Sequence, residues 1–215
     1  MTSLGRMMAG SARVETTGAL ALGDEATPYR ERSSDFYPTP PCAIDAFLAA
    51  ELQWLEGETV WEPACGDGAI ARKMTAAGLE VLGTDLVDRG YGKGGRDFLA
   101  ETHLNGCRRI VTNPPFGIAE AFIRHALLRL DVPYLALLLK ATYWHAATRA
   151  PLFAARPPAV IYALTWRPDF LKKGAPTMDV VWCVWDCQRS WDGTRYELLM
   201  REPAGAVADL FGAVE

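Results

Sequence analysis

The sequence predicts an α/β domain: a mostly parallel sheet with helices on both faces. Two observations carry this. Short apolar runs alternate with stretches of helical periodicity from Pro41 onward, and only the last two runs lack a helix between them. The chain has 215 residues, 50% hydrophobic and 22% charged, which suits one domain with a single core.

The elements follow in order. Residues 1 to about 33 are rich in Gly, Ala, Ser and Thr with weak periodicity, and read as a mobile arm. Tyr37-Pro38-Thr39-Pro40-Pro41 is stiff and extended, because each proline fixes its own φ and restricts the residue before it. A helix begins near Pro41, with Ile44, Phe47, Leu48, Leu52 and Leu55 on its apolar face and Gly57 as its stop. Residues 59–61 read as a buried strand, 62–68 as a turn and 69–77 as a helix ended by Gly78. Strands are expected at 80–84 and 109–112, each with an unusual residue set at its end. Ile118, Phe122, Ile123, Ala126, Leu127 and Leu130 share one helical face. Residues 134–139 form a strand, 142–155 a helix, and 160–165 and 180–185 the final strands. The connection between those two is a loop from Arg167 to Asp179, so the last strand is free to insert antiparallel. Residues 191–215 read as a tail.

Composition narrows the function. A mean hydropathy of +0.01 excludes wholesale disorder and a polytopic membrane protein. The longest apolar run ends at Lys140, far short of the roughly 20 residues that span a bilayer. No signal-peptide pattern opens the chain, and five cysteines (42, 65, 107, 183, 187) have neither disulfide-framework nor zinc spacing. Reduced thiols in a cytoplasmic compartment are expected. The three histidines are scattered, so no metal is expected. Net charge is −4, yet charge is unevenly spread. Between residues 132 and 178, Lys140, Arg149, Arg156, Arg167, Lys172 and Lys173 face Asp169 alone. Such a basic stretch on an acidic protein is either a footprint for a polyanion or an ordinary solvated face.

The chemistry sits at three strand ends, where open parallel sheets bind ligands. Glu62-Pro63-Ala64-Cys65-Gly66-Asp67-Gly68 lets backbone approach a ligand closely at its glycines. Asp85 can accept hydrogen bonds from both hydroxyls of a ribose. Together they suggest an adenosine-containing cofactor. Gly66-x-Gly68-x-x-Ala71 also fits the loose dinucleotide fingerprint, which keeps a nicotinamide enzyme open. Asn113-Pro114-Pro115-Phe116 favours a different reading. Two prolines stiffen the corner, so that the Asn113 side-chain oxygen and the Pro114 carbonyl can face one amino group as paired acceptors. Phe116 can stack on the ring bearing that group.

These motifs resemble the S-adenosylmethionine-dependent DNA adenine-N6 methyltransferases of the small phage or prophage type. The resemblance covers about residues 35–187. It implies a Rossmann-like methyltransferase fold with a mostly parallel seven-stranded sheet, one strand antiparallel, over residues 34–190. Asp35 to Pro40 resembles the family's N-terminal cofactor motif, with Tyr37, Pro38 and Thr39 as cofactor contacts. Val60 to Gly68 resembles the glycine-rich motif that holds the methionine part, with Glu62 to Gly68 as cofactor contacts; Asp85 would hold the ribose, Leu86 beside it would also contact the cofactor, and Asp97-Phe98 would bracket the cofactor's adenine. Asn113 to Phe116 matches the catalytic loop, with Asn113 also near the cofactor. Pro168 to Gly174 sits where the family often carries an aromatic base-contacting loop, which makes Phe170, Lys172 and Lys173 substrate contacts beside Phe116; Trp166 is a weaker candidate. DNA is the implied partner, contacted by a short basic insertion around residues 140–175, with the target base flipped out of the helix and a short or degenerate site. The sequence leaves monomer and homodimer open. Other readings are cytosine-N4 methylation, methylation of RNA guanine-N2 or of a protein glutamine, and a non-catalytic cofactor-binding subunit.

Overall fold

The protein is described by a computed structural model covering residues 36–189 and 193–201. The expected arm over residues 1–33 and the tail beyond 201 lie outside these. Seven strands form one sheet: β1 (Val60–Glu62), β2 (Val81–Gly83), β3 (Arg109–Thr112), β4 (Tyr134–Lys140), β5 (Val160–Leu164), β6 (Val180–Asp186) and β7 (Arg195–Leu199). Their order is β2-β1-β3-β4-β6-β5-β7. β6 runs antiparallel to both neighbours, and every other pair is parallel. Among the described residues four α-helices accompany them: α1 (Pro41–Leu55), α2 (Ala69–Ala76), α3 (Ala119–Arg124) and α4 (Ala150–Ala155).

The continuous apolar run of β4 exists because both faces of the sheet are covered. Tyr134, Ala136 and Leu138 point into one cluster with Phe47 of α1 and Met74 of α2. Leu135, Leu137 and Leu139 point into the other, with Phe122 of α3 and Leu152 of α4. Phe47 stacks on Trp182 of β6 at 4.2 Å, and the Trp182 indole N–H donates to the Ala43 carbonyl at 3.1 Å. α1 is therefore pinned at mid-sheet.

Three expectations need correction. The helical face from Ile118 to Leu130 is shared by α3 and a wider turn over His125–Arg129, closed by the Leu130 N–H on the His125 carbonyl at 3.0 Å. The helix expected over 142–155 is broken. Two tight turns, Ala141–Trp144 and Ala147–Arg149, precede α4, because Ala146 is extended (φ −135°) and Pro151 fits only the first turn of a helix. The tail expected from residue 191 contains β7, which pairs in parallel with β5 from Val160↔Arg195 to Leu164↔Leu199. Most of its side chains are exposed, as on an edge strand, so its apolar signal is diluted.

A buried ionic cluster locks the far ends of these elements together. Glu51 of α1 is fully buried and accepts from Tyr134 Oη at 2.8 Å and from Tyr162 Oη. Both terminal nitrogens of buried Arg189 also donate to its carboxylate, one at 2.7 Å, and Arg189 Nε lies 2.9 Å from Asp186 Oδ2. The guanidinium covers the Trp54 ring at 4.4 Å. Removing one partner of such a pair strands a charge in the core. Arg189→Met should cost about 3–5 kcal/mol in urea denaturation. Glu51→Met/Arg189→Met, which removes both charges, should recover part of that loss.

Candidate active site

The carboxyl ends of β1, β2 and β3 open onto one cleft. Of the residues singled out from sequence, Tyr37, Pro38, Thr39, Glu62, Ala64, Cys65, Asp67, Asp85, Asn113, Pro114, Pro115 and Phe116 line it. The turn after β1 takes its shape from two glycines. Gly66 (φ +56°) and Gly68 (φ +84°) both adopt left-handed backbone. A Cβ on Gly68 would stand 2.4 Å from the Tyr91 ring. That ring is covered in turn by the Arg72 guanidinium at 4.7 Å.

Two carboxylates staple this turn. Asp85 Oδ2 accepts from the Gly66 N–H and Oδ1 from the Val87 N–H, each at 2.8 Å. Each oxygen keeps further lone pairs for a ligand. Glu62 Oε2 accepts from the Ala71 N–H at 2.8 Å. Burial, the largest influence, pushes the Glu62 carboxyl well above its ordinary 4.5; the Ala71 N–H opposes this, and the charges of Asp85 and Asp67 add to it. The Cys65 thiol is pushed up to about 12, first by burial and then by Glu62 and Asp85. It stays protonated at neutral pH and packs as a small apolar group. Asp67 and Asp85 also line the cleft, and carboxylates on its wall favour a cationic ligand.

Opposite them stands the Asn113 corner. The Asn113 Nδ2 donates to the Tyr37 carbonyl at 3.1 Å and to Thr39 Oγ1 at 3.0 Å. Only the amide nitrogen can face a carbonyl, so this pair fixes which way the side chain points. Its oxygen, Oδ1, is buried and has no hydrogen-bond partner in the protein. Such an orphaned acceptor calls for a ligand donor. Phe116 is half-buried, with its ring nearly parallel to that of Tyr37 (centroids 6.2 Å apart) and with Lys140 Nζ 4.9 Å from its centre. A second hollow adjoins it, bounded by Leu139, Lys140, Thr142, Tyr143 and Arg149.

Other predicted residues lie elsewhere. Pro63, Gly66, Gly68 and Leu86 lie in the segments after β1 and β2 and are not among the residues lining the cleft. Asp97 does not line the cleft; its Oδ1 accepts from the Leu99 N–H at 3.0 Å and caps a short turn. Phe98 is buried between Trp61 and Phe122, 5.3 and 4.7 Å away. Phe170 is also buried, edge-on to Tyr37 at 6.4 Å. Lys172 and Lys173 are exposed on a turn outside the cleft, and Trp166 packs against the α1-side core. The sequence reading missed Val87, Arg89 and Ile118, which do line the cleft. Val87 and Arg89 follow Asp85 at alternate positions, the one signal that could have found them. Among the described residues there is no cluster of three metal-ligating side chains and no helix long and apolar enough to cross a membrane.

No family model matches the sequence, and neither does any curated protein. Solved structures do match. The modification subunit of a candidate type I restriction enzyme from Vibrio vulnificus is similar over 80% of this chain and 49% of its own, at 16% identity and a TM-score of 0.57. A type I restriction-modification methyltransferase subunit from Streptococcus thermophilus is similar over 73% of this chain and 46% of its own (14% identity, TM-score 0.54). A candidate RNA methyltransferase from Pyrococcus horikoshii matches over 70% and 85% (16% identity, TM-score 0.55). The chain spans about half the length of the two type I subunits. Its fold is the Rossmann-like methyltransferase fold.

Gly68→Ala should lower stability by about 1–3 kcal/mol in urea denaturation, because the left-handed backbone and the Tyr91 ring both oppose a methyl group. Stability against pH tests Glu62. The folded protein holds this proton more tightly than the unfolded chain, so the stability it contributes is present below the ordinary value of 4.5 and lost as pH rises through the raised one. Glu62→Gln keeps an oxygen for the Ala71 N–H and cannot ionise. It should therefore lose less stability than the wild type from about pH 4 to about pH 8 in urea denaturation.

Proposed function

We propose that this chain transfers a methyl group from S-adenosylmethionine to the exocyclic N6 of adenine in DNA. The observation that carries the reading is the Asn113 amide, held by Tyr37 and Thr39 with its buried oxygen unpaired. The cleft suits the cofactor: its acidic lining favours the sulfonium and ammonium charges, and Asp85 has lone pairs left for ribose hydroxyls. When bound, S-adenosylmethionine supplies an electrophilic methyl group on a sulfur that departs as a neutral thioether.

The chain's own residues prepare the acceptor. An exocyclic adenine nitrogen is a weak nucleophile, because its lone pair is delocalised into the ring. Asn113 Oδ1 accepts one of its hydrogens and the Pro114 carbonyl the other. The nitrogen becomes more tetrahedral, and its lone pair turns toward the methyl group. Phe116 offers its ring to the extruded base. The extra proton on nitrogen leaves to water after transfer, so no general base is needed before attack. Positioning and directed dipoles supply the acceleration. The type I subunits that share the fold support DNA as the substrate; the RNA methyltransferase of similar likeness makes RNA the reading to test against it.

Modification-sensitive long-read sequencing of DNA from cells expressing the protein should show methylated adenines at a short site. Asn113→Ala should abolish the signal, with a loss of about 10²–10³-fold in the transfer rate and unchanged folding. Tritium transfer to RNA or release factor, with none to DNA, would overturn the assignment.

A further inference from the structure

The antiparallel insertion of β6 places the β5–β6 connection at the carboxyl end of β5, the same end of the sheet as the Asn113 corner. This connection is firmly built. Arg167 and Asp179 close its base through two hydrogen bonds of 2.6 and 3.2 Å, and the Ala141 N–H, just past β4, donates to the Asp179 carbonyl at 2.8 Å. At its tip, Asp169 Oδ2 accepts from the Gly174 N–H at 2.6 Å, and Lys172 is held at φ +54°. A non-glycine residue in left-handed backbone costs energy and persists where the surroundings enforce it. Phe170 points inward and meets Tyr37, whose own ring faces Phe116. The next residue, Leu171, is 55% exposed and is followed by exposed Lys172 and Lys173.

A large apolar side chain held out on a stiff loop beside two cations has no role in the core. It suits a duplex: lysines meet phosphates, and an apolar tip enters a base step. We propose that Leu171 is the wedge that fills the base stack when the target adenine swings into the cleft, with Lys172 and Lys173 holding the flanking phosphates. This rests on the DNA reading above. Phe170, buried behind Tyr37, anchors the wedge to the aromatic row at the catalytic corner. A filled gap slows the base's return, so the wedge matters most where the target begins stacked and paired.

The test compares wild type, Leu171→Ala and Leu171→Met by tritium transfer on two duplexes carrying the site found by sequencing. One is fully paired; the other has an abasic position opposite the target adenine. Leu171→Ala should lose about tenfold in kcat/KM on the paired duplex and regain most of it on the abasic one, while Leu171→Met, which keeps apolar bulk, stays near wild type. Because Leu171 is exposed, melting temperature should not change. Equal losses on both duplexes, or no loss on the paired one, would overturn the wedge while leaving the methyltransferase reading intact. No transfer to DNA by the wild type would overturn both.

Discussion

One buried carboxylate organises this molecule. Glu51 is enclosed by two tyrosines and an arginine 138 residues away, and none of these groups can leave without stranding the others in a medium of low dielectric. The cluster fixes α1 against β4, β5 and the exit of β6. α1 begins at Pro41, immediately after the extended segment that carries Tyr37 and Thr39. Fixing the helix therefore fixes where that segment crosses the sheet. The segment in turn sets the orientation of Asn113, two residues of it accepting from one amide nitrogen. A cluster remote from the cleft thus bears on which atom of the Asn113 side chain faces it.

The cleft divides its electrostatics cleanly. Carboxyl groups from the ends of β1 and β2 make one wall, and the proline-stiffened acceptors after β3 make the other. The carboxyl groups do double duty, since Asp85 satisfies the Gly66 and Val87 N–H groups and Glu62 the Ala71 N–H in the first turn of α2. Backbone left unpaired in so buried a place would be costly. The bonds that Asp85 makes to the Gly66 and Val87 N–H groups therefore also place a carboxylate on the cleft wall.

How much of this was legible depended on distance along the chain. The strand-end motifs were readable because their chemistry is local: Glu62 to Gly68, Asp85 and Asn113 to Phe116 each lie within a few residues of a strand end and meet in the cleft. The parallel sheet with its antiparallel strand was likewise visible in the alternation and in the missing final crossover. The pairing of Glu51 with Arg189 was not, because nothing local marks a charged residue as buried. Tyr37 was anticipated only as a cofactor contact; its carbonyl's hold on Asn113 needed the fold. β7 escaped because an edge strand carries little of the apolar pattern by which strands are found. Asp97 and Phe98 were motif-like in spacing, yet the turn they begin packs Phe98 inward onto Trp61 and Phe122.

The register of β4 with β6 separates two duties along one axis. Tyr134 pairs with Asp186 at one end, where the ionic cluster sits, and Lys140 pairs with Val180 at the other, beside the aromatic row. The ionic cluster sits at the amino ends of the parallel strands and the cleft at their carboxyl ends. Loops at the cleft end can lengthen, shorten or change residue while the anchoring end keeps the architecture. A scaffold divided this way has latitude to acquire new targets by drift, and it retains its shape in proteins that have kept few residues in common with it.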